Sequence, residues 1–227
     1  MRSIHFVYIY NMYMNNLNII HHVCSLGTLC SSSQLCKDTG LKQESYPFDW
    51  IFSNPDIIVD IIKDNFTNFL NKELYINSTI NKCGHALYGD NIFNHHNPKD
   101  NDEHYSYFTR CVERFRILLR KTESNKLFII TFTNINNEIE DIESIKNTIL
   151  NFNNYISTKT TNHSIFAICH IPHQNVFKSN IEDIANIKFV SLYTKSGCDG
   201  TVLIDKTENE MLQKLLLDAY LFQIQKL

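Results

Sequence analysis

The densest run of reactive side chains is Ser25 to Trp50, SLGTLCSSSQLCKDTGLKQESYPFDW. Its first half joins a β-branched run ending near Gly27 to a short helix beginning near Cys30. The leading amides of a helix have no partner within the helix and carry partial positive charge. A thiol placed there is drawn toward thiolate, and the same amides suit an oxyanion formed after attack on a carbonyl. Gly27 lets the chain turn sharply with no side chain in the way. Cys30 also has an ordinary reading as a small buried hydrophobe, the usual fate of a free cysteine. Ser31 to Ser33 add a third, since hydroxyls beside a helix N-terminus can hold a phosphate.

The elements around this segment follow from periodicity. Asn18 to Ser25 (NIIHHVCS) reads as a buried strand, and Cys30 to Asp38 as a helix closed by Gly40 in a left-handed cap. Pro47 forces Tyr46 to be extended, so Tyr46 to Trp50 is a turn. Asn54-Pro55-Asp56 opens a second helix with Ile57, Ile58, Ile61, Ile62, Phe66 and Phe69 at helical spacing. Leu74 to Asp102 is polar, with Gly84, Gly89 and Pro98, and reads as loop with short strands. Beyond it come a helix over Tyr105 to Lys121, a strand over Lys126 to Thr133 and a helix over Ile139 to Ile156. Strands over Ser164 to Ile171 and Ile187 to Tyr193 and a closing helix over Glu208 to Gln225 complete the chain. Apolar strands alternating with amphipathic helices predict an α/β fold, a mostly parallel sheet with helices on both faces. Residues 19–227 are expected to form one domain. Met1 to Asn18 is expected as an arm or edge strand, since Asn11, Asn15 and Asn16 interrupt its apolar run and no small-residue cleavage site follows.

Composition removes several classes. With 227 residues, 43% hydrophobic and 20% charged, the chain can bury a full core. A net charge of -3 with scattered Lys and Arg excludes an electrostatic nucleic-acid binder. No stretch approaches the roughly 18 apolar residues of a membrane span. The 7 cysteines include no Cys-x-x-Cys pair, so reduced thiols in a reducing, cytoplasmic setting are expected. Cys169, His170 and His173 lack a fourth ligand at zinc-like spacing, and neither metal nor cofactor is expected.

Ser-Leu-Gly-Thr-x-Cys followed by Tyr-Pro-Phe-Asp-Trp-Ile resembles a family of papain-like cysteine peptidases found in bacteria and large DNA viruses. Phe93-Asn94-His95-His96 is similar to that family's Phe-x-His-Asp in its first three positions, and Arg110 with Arg114-Phe115 to its arginine-rich helix. The likeness runs from about Val23 to about Thr133. It implies Cys30 as nucleophile and His95 as its base. It also implies a papain-like α+β architecture, the alternative to the α/β reading. His96 stands where the family has Asp, which leaves open the group that orients His95. Asp49, between two aromatics in the turn, is the first choice, because a held aspartate can fix a histidine tautomer and stabilise the imidazolium. Its competing roles are to cap the turn or to pair with Arg110 or Arg114.

Two functions follow. In one, Cys30 and His95 attack the carbonyl of a peptide or small-molecule substrate, as a hydrolase or acyl transferase. In the other, Gly27 and Ser31 cradle a phosphorylated or sugar-linked ligand with Arg110 and Arg114, which lie four apart on one helical face. An inactive, purely interacting relative is a third. Geometry separates them: Cys30 Sγ within about 4 Å of a His95 nitrogen favours the hydrolase, and arginines converging on Gly27 favour the anion site.

Overall fold

The computed structural model describes residues 19–224. The expected arm over residues 1–18 and the expected end of the closing helix at Gln225 lie outside them. Ile19–Ile20 (β1) and His22–Ser25 (β2) lead into Ser31–Asp38 (α1), Pro55–Lys63 (α2), and three short strands, Tyr75–Ile76 (β3), Cys83–His85 (β4) and Gly89–Phe93 (β5). The second half comprises Asp102–Arg120 (α3), Lys126–Phe132 (β6), Ile139–Ile156 (α4), His163–Ile171 (β7), Lys178–Ile184 (β8), Ile187–Tyr193 (β9), Lys206–Ala219 (α5) and Leu221–Phe222 (β10).

The main sheet has the order β2-β6-β7-β9-β8. β2, β6, β7 and β9 are parallel, and β8 is antiparallel to β9 on the edge. In β6, Leu127 and Ile129 belong to one apolar core, and Phe128 and Ile130 to another on the opposite face. α2, α3 and α4 cover the Phe128 face; α1 and α5 cover the other. The α/β expectation of a mostly parallel sheet with helices on both faces therefore holds. A separate antiparallel sheet, β3-β4-β5, adds an α+β component between α2 and α3.

Local chemistry explains the element ends. Asn54 caps α2 by accepting from Ile57 N at 2.9 Å, with Pro55 in the first turn. Asn101 caps α3, accepting from Glu103 N and His104 N. α1 ends at Gly40 (φ 70°), where Leu41 N donates to Cys36 O and Gly40 N to Lys37 O, the paired bonds of a Schellman cap.

One expectation is corrected. The closing helix stops at Ala219; Tyr220 turns extended, and Leu221–Phe222 pairs in parallel with Ile19–Ile20. β8, KSNIEDI, is a strand to which periodicity assigns no element, because an edge strand alternates between half-buried and exposed and lacks an apolar run. Among the described residues no helix is long and apolar enough to cross a membrane.

Candidate active site

The site sits where β2 ends and α1 begins, at the carboxyl end of the parallel strands. Gly27 takes φ 83°, and a Cβ added there would stand 2.5 Å from Ser53 Oγ. Both constraints call for glycine. The turn is fastened to β6: Leu26 N donates to Ile129 O (2.8 Å), Thr131 N to Gly27 O (3.2 Å) and Thr28 Oγ1 to Thr131 O (2.8 Å). From within, Ser32 Oγ donates to Gly27 O and lies 2.8 Å from Ser25 Oγ.

Cys30 occupies the N-cap position of α1 and is 3% exposed. Its Sγ lies 3.2 Å from His95 Nε2, across 65 residues of sequence. His95 follows β5, and backbone bonds carry it to the thiol. Ser53 N donates to Thr28 O at 3.0 Å, and Phe52 N donates to Ile92 O at 2.9 Å. The segment after the Pro-Phe-Asp-Trp turn thus ties the Cys30 turn to the strand that ends just before His95. Phe48 of that turn is fully buried against Phe115 (5.4 Å, 88°) and Phe66 (5.9 Å), so the turn is anchored in the core. Such aromatic pairs add about 0.5–1.5 kcal/mol beyond burial.

The imidazole is exposed. Its ring meets Trp50 edge to face at 6.1 Å, and Asn94 Nδ2 lies 3.5 Å from Nε2. Among the described residues nothing hydrogen-bonds its Nδ1.

Asp49 does not orient His95, which corrects that expectation. It is 1% exposed, and its Oδ2 accepts from Lys42 Nζ and, at 2.9 Å, from Tyr46 N. Burial, the largest influence, raises its carboxyl above the usual carboxylate range against the pull of Lys42. Lys42 also donates to Ser33 Oγ at 2.8 Å and lies 5.4 Å over the Trp50 ring. Sequence reasoning passed over Lys42, because a lysine seven residues before an aspartate carries no local signal.

His96 is part of an aromatic wall, stacked on Tyr107 (4.6 Å, 6°) and edge-on to His104. Burial, aided by His104 and His95, holds its imidazole down at about 4, so it is neutral at physiological pH.

The expected pull of the helix end on Cys30 is outweighed. Burial pushes its thiol up to about 11, so the proton rests on sulfur and a thiolate requires a base. The other six cysteines are likewise buried and free.

The anion site is not assembled. Arg110 is exposed and has no partner among the described residues, while Arg114 Nε lies 3.8 Å from Glu44. Glu113 pairs with Arg116 and Arg120. Ser31 Oγ is buried without a partner and, with Thr131 and Thr133, lines a cavity of about 20 Å³ whose charged lining residue is Asp38. That void suits a single water rather than an anion. No group of three or more His, Cys, Asp or Glu among the described residues is placed to hold a metal.

Residues 21–175 match the family described as "putative papain-like cysteine peptidase", which extends the likeness through β7. No curated protein and no solved structure matches the chain.

Proposed function

Because the chain belongs to this family of papain-like cysteine peptidases, we propose that it is a cysteine-dependent hydrolase or acyl transferase with Cys30 as nucleophile and His95 as general base. The observation that carries this reading is the 3.2 Å contact between Sγ and Nε2 at the opening of α1. Attack by Sγ on a substrate carbonyl forms the S–C bond, passes the thiol proton to Nε2 and moves the C=O electron pair onto oxygen. Collapse of the adduct expels the leaving group, which takes the proton from Nε2 and leaves a thioester on Cys30. Water, deprotonated by His95, adds to the thioester carbonyl. The S–C bond then breaks, the acid leaves and the proton on Nε2 returns to Sγ; another acceptor in place of water gives transfer.

The pair works as a dyad. Asp49 serves the site by holding Lys42, and Lys42 supports Trp50, against whose ring His95 packs. Its substrate class is a peptide or a small ester or amide, with no cofactor in any step.

Labelling with an iodoacetamide probe near pH 7, read by peptide mass spectrometry, tests the reading. Cys30 is expected to label fastest of the seven cysteines, and His95→Ala is expected to slow it by about a hundredfold, the size of a general-base contribution. Uniform slow labelling of all thiols, or a Cys30 rate indifferent to His95→Ala, would exclude the dyad.

A further inference from the structure

Asn94 joins the last residue of β5 to His95, and its role is not accounted for by packing. Its carboxamide is half-buried, and the bond it makes among the described residues is the 3.5 Å approach of Nδ2 to His95 Nε2. That nitrogen is also the one 3.2 Å from Cys30 Sγ. The thiol and the carboxamide therefore both approach one ring nitrogen.

In the resting dyad Nε2 is an acceptor, and an S–H and an N–H can both face it. When Sγ adds to a carbonyl, the thiol proton ends on Nε2, which becomes a donor and has nothing left to offer the Asn94 N–H. At the same moment an oxyanion appears on the carbon bonded to Sγ. The group losing its acceptor and the charge needing a donor arise together around one nitrogen, which lies 3.2 Å from Sγ and 3.5 Å from Nδ2. We propose that Asn94 Nδ2 donates a hydrogen bond to the oxyanion of the adduct on Cys30, which makes Asn94 a catalytic residue beside the leading amides of α1. The assignment rests on the dyad reading of Cys30 and His95. A donor placed this way lowers the barrier to carbonyl addition and contributes nothing to simple displacement at carbon, where no oxyanion forms.

That difference defines the test. The unaltered full chain, Asn94→Ala and Asn94→Asp are compared in two reactions at Cys30: alkylation by iodoacetamide, and the p-nitrophenolate burst from p-nitrophenyl acetate. In the burst, Sγ becomes acetylated and p-nitrophenol departs. Asn94→Ala is expected to acylate about a hundredfold more slowly relative to its own alkylation rate, as for loss of one oxyanion donor. Asn94→Asp, which offers a negative acceptor in place of the donor, is expected to acylate more slowly still. Circular dichroism of the variants checks that the fold is retained. If the burst rate survives Asn94→Ala, or Asn94→Asp acylates as fast as the unaltered chain, the role of Asn94 is overturned and the dyad stands. If the unaltered chain shows no burst at all, the dyad reading falls and the role of Asn94 falls with it.

Discussion

Lys42 sets its ammonium on the buried carboxylate of Asp49, and the same ammonium lies 5.4 Å over the ring of Trp50, the residue that follows. One cation thus neutralises a carboxylate that is 1% exposed and steadies the aromatic wall beside His95.

Removing that cation should be costly. Lys42→Met leaves the Asp49 charge buried and unpaired, a change worth about 3–5 kcal/mol of lost stability. Lys42→Met combined with Asp49→Asn keeps an acceptor for Tyr46 N and removes the charge, so it is expected to recover more than half of the loss. Urea unfolding of the three proteins measures both. Equal stability of Lys42→Met and the unaltered chain would show that the pair contributes nothing.

The protonation state of Cys30 sets a pH profile. With the thiol pushed up to about 11 by burial, thiolate forms only by proton transfer or at high pH. The alkylation rate should therefore keep rising from pH 7 through pH 10. A resting thiolate–imidazolium pair would instead give a rate already level below pH 7, and that plateau would contradict the neutral dyad.

Gly27→Ala combines two penalties, one of backbone and one of space. At φ 83° a side chain costs about 1–2 kcal/mol, and its Cβ would meet Ser53 Oγ at 2.5 Å. Adding Ser53→Ala removes the hydroxyl, so the double variant should regain the steric part and keep the backbone part. Thermal unfolding with Cys30 labelling reads both; an unchanged midpoint for Gly27→Ala would refute the account.

Acid should destabilise the fold before its carboxylates protonate. Burial holds His163 and His170 down at about 4, below the ordinary 6.5. The unfolded chain thus binds more protons between those values, and stability is full above about 6.5 and falls as pH drops toward 4. His170 should contribute most, because it is fully buried and bonded to Thr194 Oγ1 at 2.6 Å. Urea midpoints at pH 7.5, 6 and 5 should decline in that order, and a flat series would contradict it.

Much of the framework could be read from periodicity. The limits of α4 and β9 agree with their apolar spacing, because both are amphipathic or apolar enough to declare a buried face. β8 and β10 could not be read that way. One is a polar edge strand, and the other is held by pairing with Ile19–Ile20 at the far end of the chain. At the site, helix-end physics pointed to Cys30, but its partner across 65 residues came from family likeness rather than from spacing. Asp49 misled because a Pro-Phe-Asp-Trp turn places an acid near the pocket without saying which cation will meet it. The answer lay in a flexible lysine whose direction only tertiary packing decides.

The backbone bonds at Phe52 and Ser53 decide which changes the site can absorb. Adjacent amides reach Ile92 O on one side and Thr28 O on the other, so the segment behaves as a spacer whose length matters more than its side chains. Substitutions there leave both amides in place. One inserted residue would displace an anchor by about 3.3 Å, as much as the 3.2 Å that separates Sγ from Nε2. The segment therefore tolerates new letters more readily than a change in its count.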